Sequence, residues 1–219
     1  TLNGSDPSCD WQIDSNAAYP GLMSPSEQPS LITDGYVSNS NDSYWLSNPE
    51  QPLEGYSPII GDEGTIRSLR TRAGLKFVEE VVDTGKKFSQ NSVQGLLFNH
   101  RNNGAEVFLD DILTVCNESQ ELTEACSILS SWDRRQDIDS VGAHIFNQFW
   151  NNARRLRDHY AVPFNIDDPI HTPSGLTINE QATRDYILVN LEAAVGSLTE
   201  ANISLNAKWG DVQFAVRNG

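Results

Sequence analysis

The first 63 residues hold seven of the chain's ten prolines, and no apolar spacing of helical period survives there for more than a few positions. Proline fixes φ and removes a backbone donor, so neither a helix nor a central strand runs easily through such a stretch. This segment is expected to be an extended arm that buries little by itself and wraps a body supplied by the rest of the chain or by something else. Short extended pieces are expected near Trp11, at 30–32 and at 36–40.

From Thr65 the pattern changes to helical periods. Leu69, Ala73, Phe77, Val78 and Val81 mark a first stripe that ends at Gly85. Val93, Leu96, Leu97 and His100 mark a second, and Val107, Phe108, Ile112, Leu113 and Val115 a third. Leu122, Ala125, Cys126 and Leu129 make a short fourth that closes on Trp132. The fifth is the clearest, running from Val141 through Ile145, Phe146, Phe149, Trp150, Ala153 and Leu156 to Tyr160, with Asp139 or Ser140 as N-cap and Pro163 as stop. A sixth follows Thr177 and Glu180, which have capping-box spacing, and continues through Ile178, Ala182, Ile187, Leu191, Ala194 and Leu198. In the tail, Val212, Phe214 and Val216 alternate with Gln213, Ala215 and Arg217 and predict a strand. The expected fold class is mainly α: an arm over 1–63, a helical body over 64–205, and a strand over 206–219.

A formal charge of −15, from 30 acidic and 15 basic residues, repels a phosphate backbone and an anionic membrane surface alike. Nucleic acid is not an expected partner. No stretch is long and apolar enough for a transmembrane helix, and the opening residues lack the basic start and apolar middle of a signal peptide. The expectation is a cytosolic chain, or one whose export signal lies outside this sequence. Of three cysteines, Cys116 and Cys126 stand ten apart and can pair, leaving Cys9 free; three buried thiols is an equal reading.

The ionisable residues compose no complete active site. None of His144, His159 and His171 sits beside a nucleophile, and each is expected at the surface or as a cap. Asp133, Asp137 and Asp139 are expected to favour a helix start, and Asp167 and Asp168 suit a turn before Pro169. Thr1 has the hydroxyl and amine of a terminal nucleophile, but no apolar strand follows to hold it rigid. N-x-S triplets at Asn41, Asn117 and Asn202 carry little weight.

The block from Val37 to Pro49, VSNSNDSYWLSNP, is different, because it crowds amides and hydroxyls around two large aromatics. An asparagine amide is an uncharged donor that can be aimed at an oxygen becoming negative without a change of protonation. In an extended strand Asn39 and Asn41 share a face, while Ser40 and Asp42 point the other way. The competing reading is a turn in which each amide binds its own backbone.

The longer string YVSNSNDSYWLSNPEQPLEGYSPIIGDEGTIRSLRTRAGL, residues 36–75, resembles the penicillin acylase family of N-terminal-nucleophile amidohydrolases, in the branch of acyl-homoserine lactone and aculeacin A acylases. LNGSDPSCDW before it, ACSILSSWDRRQDIDSVGAHIFNQFW in the middle, and DDPIHTPSGL and WGDVQFAVRNG near the end resemble that branch in the same order. The resemblance implies an inner section of the large subunit of a self-cleaving precursor, inactive alone. Its implied partners are the small subunit, the N-terminal part of the large subunit and an N-acylated small-molecule substrate. It implies helices that pack outside an αββα sandwich, to which the arm and tail lend strands. It also implies that the amide of Asn41 serves the oxyanion and that Arg70 supports the site, with Arg67 and Arg72 as rivals. No cofactor is expected, since no carboxylate here matches the calcium motif of the penicillin G branch. Export to the periplasm or beyond is implied, which suits a Cys116–Cys126 bridge. The rival class is a non-enzymatic helical interaction module, in which the asparagine block only shapes a loop.

Overall fold

The computed structural model describes residues 5–6 and 13–215, so Thr1, Cys9, Trp11, Val216 and Arg217 lie outside the described residues. The chain divides into two compact units, Thr1–Thr65 and Ile66–Gly219.

Among its described residues the first unit contains no strand, and its regular structure is two 3-10 turns, Pro25–Glu27 and Tyr44–Leu46. The extended pieces expected at 30–32 and 36–40 find no ladder partner here. Side chains instead satisfy the backbone. Asp14 accepts from the amides of Asn16 at 2.9 Å and Ser24 at 2.7 Å, and Asn48 accepts from Glu50 N–H at 2.8 Å. Trp45 and Leu46 are buried, whereas Ile13, Ile32, Val37 and Ile59 are exposed.

The second unit is mostly helical: α1 Leu69–Val82, α2 Gln90–Leu97, α3 Asn103–Cys116, α4 Thr123–Ser131, α5 Ala143–Asn152, α6 Gln181–Glu200 and α7 Trp209–Val212. Two short strands, β1 Tyr160–Val162 and β2 Ser174–Leu176, pair antiparallel with Tyr160 opposite Leu176 and Val162 opposite Ser174. On α3 the positions Ala105, Phe108, Leu109, Ile112, Val115 and Cys116 repeat at helical spacing, and all are buried. Asn102 starts that helix by accepting the Ala105 N–H at 3.0 Å. α6 presents Thr183, Ile187, Leu191, Ala194 and Leu198 to the same core.

Aromatic packing holds the centre. Phe108 stacks on Trp150 and Tyr160 at 6.0 and 5.4 Å between ring centroids, and Phe146 lies 5.4 Å from Trp132 and 5.8 Å from Trp150. Each such side chain contributes about 1.5–3 kcal/mol by leaving water. Cys116 and Cys126 form a buried disulfide with Cα atoms 5.9 Å apart, so the reading of three free thiols does not hold. Closing this short loop stabilises the fold by roughly 3 kcal/mol in the chain-entropy account.

Several expectations are corrected. The fifth apolar period does not continue as one helix: α5 stops at Asn152, and Leu156 and Tyr160 reach the core from a 3-10 turn over Leu156–His159 and from β1. Its N-cap is Gly142 at φ +104, not Asp139 or Ser140, and a Cβ at Gly142 would lie 2.9 Å from Trp132 Cβ. Glu180 rather than Thr177 precedes α6, since the Thr177 hydroxyl is engaged with that of Thr183 at 2.8 Å. The tail is no strand across 209–212 but the short helix α7, drawn in by Trp209 N–H to Ser140 O at 2.8 Å and Gly210 N–H to Ile138 O at 2.9 Å. The second stripe does form α2, with a Ser89–Ser92 capping box, yet no residue of that helix is buried.

Candidate active site

The asparagine block folds as a closed loop. Ser38 N–H donates to Ser47 O at 2.7 Å, which joins the two ends of the segment carrying Asn41. Ser43 caps the 3-10 turn Tyr44–Leu46 by accepting from Trp45 N–H at 3.3 Å, and Trp45 O accepts from Leu53 N–H at 3.1 Å. The Trp45 ring is buried while its Nε1 donates to Glu54 at 3.0 Å. Tyr44 packs edge-on against Tyr56 at 5.4 Å and gives its hydroxyl hydrogen to Glu63 Oε1. Glu63 also accepts from Gly55 N–H and Tyr56 N–H, each at 2.9 Å. Those donors hold its carboxyl below the usual range, the Tyr44 hydroxyl most of all. Desolvation, and then the Glu63 carboxylate, push the Tyr44 phenol up to about 12.

Asn41 sits at the exposed tip of this loop with φ +54, a left-handed conformation that asparagine tolerates better than most residues. Its backbone N–H donates to Asn39 Oδ1 at 2.8 Å, so Asn39 forms a local turn of the kind that competes with a strand. The two asparagines therefore do not share one face of a strand. The result is a single asparagine at a bend, carried on a turn whose other end is anchored in buried aromatic surface.

The three arginines of IRSLRTR belong to the second unit and differ in setting. Arg70, in the first turn of α1, is exposed, while Arg67 and Arg72 are buried. Arg72 Nε donates to Ile170 O at 2.7 Å, which ties α1 to the loop before β2. Burial lowers the Arg72 pKa from its ordinary value. Arg72 Nε is thus engaged by a backbone carbonyl, and Arg70 is the exposed one of the three.

The remaining ionisable groups are engaged locally. His144 is buried rather than superficial: its Nε2 pairs with Ser204 O at 3.1 Å, and its Nδ1 has no partner among the described residues. Desolvation lowers its pKa from the ordinary 6.5. His159 stacks on Tyr186 at 4.7 Å, and His171 pairs with Asp168 at 2.7 Å within its own turn. Asp133, Asp137 and Asp139 line an open cleft of about 900 Å³ beside α4, but they accept respectively from Arg135 N–H, pair with His100, and bind Lys208. Among the described residues no group of three or more His, Cys, Asp or Glu converges as a metal site would require.

The polar support of the loop was not readable in the sequence. Glu63 lies 19 residues beyond Tyr44, and no local spacing marks such a pair. The burial of His144 departs from the surface or capping place expected for it, because Ala143, His144 and Ile145 are all buried at the start of α5.

Comparison with known proteins places this loop in context. Residues 1–219 match the Penicillin amidase family along their whole length. The acyl-homoserine lactone acylase PvdQ of Pseudomonas syringae pv. syringae (strain B728a) is 32% identical over 224 residues, covering 100% of this chain and 29% of that protein. PvdQ of Pseudomonas fluorescens (strain Pf0-1) is 36% identical over 226 residues, covering 100% of this chain and 28% of its own length. Aculeacin-A acylase of Actinoplanes utahensis is 38% identical over 188 residues, covering 79% of this chain and 23% of that protein. The chain spans less than a third of the length of these curated relatives. A match over all 219 residues, with identities above 30% across the whole chain, shows that this chain belongs to the penicillin amidase family.

Proposed function

We propose that this chain is an inner section of the large subunit of an N-terminal-nucleophile acylase that hydrolyses the amide bond of N-acylated small molecules. The observation that carries the reading is the whole-chain match to the family together with relatives named as acyl-homoserine lactone and aculeacin-A acylases. In this reading the nucleophile and its base amine come from another part of the same precursor, the protein is exported, and this chain alone does not turn over substrate. The buried Cys116–Cys126 disulfide supports an oxidising compartment, since thiols in a reducing one stay unpaired.

The role of this chain is to supply the oxyanion donor. As the nucleophile attacks the amide carbonyl, negative charge gathers on its oxygen, and a neutral N–H fixed in advance stabilises that charge without reorganising. Asn41 suits this role because its side chain is at an exposed tip, its backbone is bent into a left-handed turn, and its loop is closed at the base and anchored by buried Trp45. Arg70 is the proposed support, with Arg67 and Arg72 as its rivals, Arg72 also donating through Nε to Ile170 O.

The test is hydrolysis by the full-length protein. Incubation with N-acyl-homoserine lactones of graded chain length is expected to release free fatty acid and homoserine lactone. Absence of cleavage across N-acyl-homoserine lactones, acylated lipopeptides and penicillins, in a protein with an intact terminal serine, would favour the helical interaction module instead.

A further inference from the structure

We propose that Glu63 is a positioning residue for the oxyanion donor: its carboxylate clamps the loop bearing Asn41 through the Tyr44 hydroxyl and the amides of Gly55 and Tyr56. The inference rests on the reading of Asn41 given above, and goes beyond it by assigning the group that keeps that amide in place.

A loop tip is useful as an oxyanion donor only if its position is set before the reaction, because a misplacement of about 1 Å can cost on the order of a hundredfold in rate. Asn41 is exposed, so burial does not set that position. The rigidity comes from the next turn. Tyr44 follows Asn41 by three residues, and its ring is held between Tyr56 on one side and the backbone of Gly61, where an added Cβ would lie 3.4 Å from Tyr44 Cδ1 and 2.8 Å from Ser43 Oγ. Glu63 closes this arrangement with three donors on two oxygens: Oε1 takes Tyr44 O–H and Tyr56 N–H, and Oε2 takes Gly55 N–H. Every donor reaches a carboxylate acceptor, so charge-assisted bonds hold the 53–63 segment against the turn that presents Asn41. Glutamine at this position keeps the size but loses an acceptor, because its NH2 would face an N–H donor. Phenylalanine at position 44 removes one bond and keeps the ring.

The experiment uses the full-length protein, a long-chain N-acyl-homoserine lactone as probe, and kcat normalised to sites titrated with an acylating inhibitor. Glu63→Gln is expected to lower kcat roughly ten- to a hundredfold with KM within about twofold, since the oxyanion exists only in the transition state. Tyr44→Phe is expected to lower kcat by roughly three- to tenfold, and it decides the matter alone if Glu63→Gln yields no titratable sites. In an Asn41→Ala background neither change should cost anything more, because the group they position is gone. Wild-type kcat in Glu63→Gln and Tyr44→Phe beside a collapsed Asn41→Ala overturns the positioning role and leaves the function of Asn41 standing. Losses that multiply in the double variants overturn it too, since Glu63 then acts by another route. Full turnover in Asn41→Ala removes the oxyanion reading itself, and the positioning role with it.

Discussion

Each of the two units of this chain is ordered by different physics. In residues 66–219 the order comes from apolar burial: α3, α5 and α6 bring Phe108, Phe146, Phe149, Ile187 and Leu191 into a closed core reinforced by a disulfide. In the described part of residues 1–65 it comes from directed polar bonds, with Asp14, Asn39, Ser43, Asn48 and Glu63 each satisfying backbone amides. Burial is strong but undirected, so it stabilises without aiming anything. A polar turn adds little net stability per bond but fixes direction, which is what a donor to a developing charge requires. The expectation is that changes in the first region alter chemistry and changes in the second alter stability.

The largest expected effect on stability is in the core. Phe108→Ala removes the ring that Trp150 and Tyr160 stack on and should cost about 3–5 kcal/mol in denaturant unfolding. A loss below about 1 kcal/mol would mean the aromatic centre is not what holds this unit. Opening the disulfide with the Cys116→Ser, Cys126→Ser pair should cost roughly 3 kcal/mol and lower the melting temperature in the same assay. Acid comes next. His144 is buried neutral with a lowered pKa, so the unfolded chain takes up its proton more readily than the folded one. The contribution of His144 is therefore fully present above pH 6.5 and is lost as the pH falls from there through its lowered folded pKa; replacing His144 by Leu should flatten that limb of the curve. The smallest effect belongs to the polar region: Asn39→Ala loses one turn bond and should cost only about 0.5–1.5 kcal/mol of local order. A cost as large as that of Phe108→Ala would erase the contrast between the regions.

Legibility in the sequence follows the same division. The helices α3, α4 and α6 were readable because each buries a face at constant angular period, and that period is written in the residues themselves; α1 forms where its stripe predicts, but it buries Thr71, Arg72 and Leu75 rather than that stripe. The end of α5 was not, because Leu156 and Tyr160 continue the apolar spacing although a 3-10 turn and a strand, rather than a helix, deliver them to the core. The tail alternation at Val212 and Phe214 misled, since contacts of Trp209 and Gly210 with the chain at 138–140 draw that segment into a helical turn. For the candidate site, composition singled out the asparagine block, and a family resemblance singled out Asn41 within it. What neither contained was the loop's geometry: the turn at Asn39, the left-handed Asn41 and the Glu63 clamp depend on pairings across 2 to 19 residues with no periodic trace. The split among the three arginines was equally hidden, because the bond of Arg72 to Ile170 spans 98 residues.

The most direct test of the central claim is the turnover of Asn41→Ala in the full-length protein, measured with its melting temperature. The account predicts that kcat falls by about two to three powers of ten while the melting temperature stays within a degree or two, since an exposed tip side chain supports chemistry and not the core. Turnover near that of the unaltered protein would contradict it.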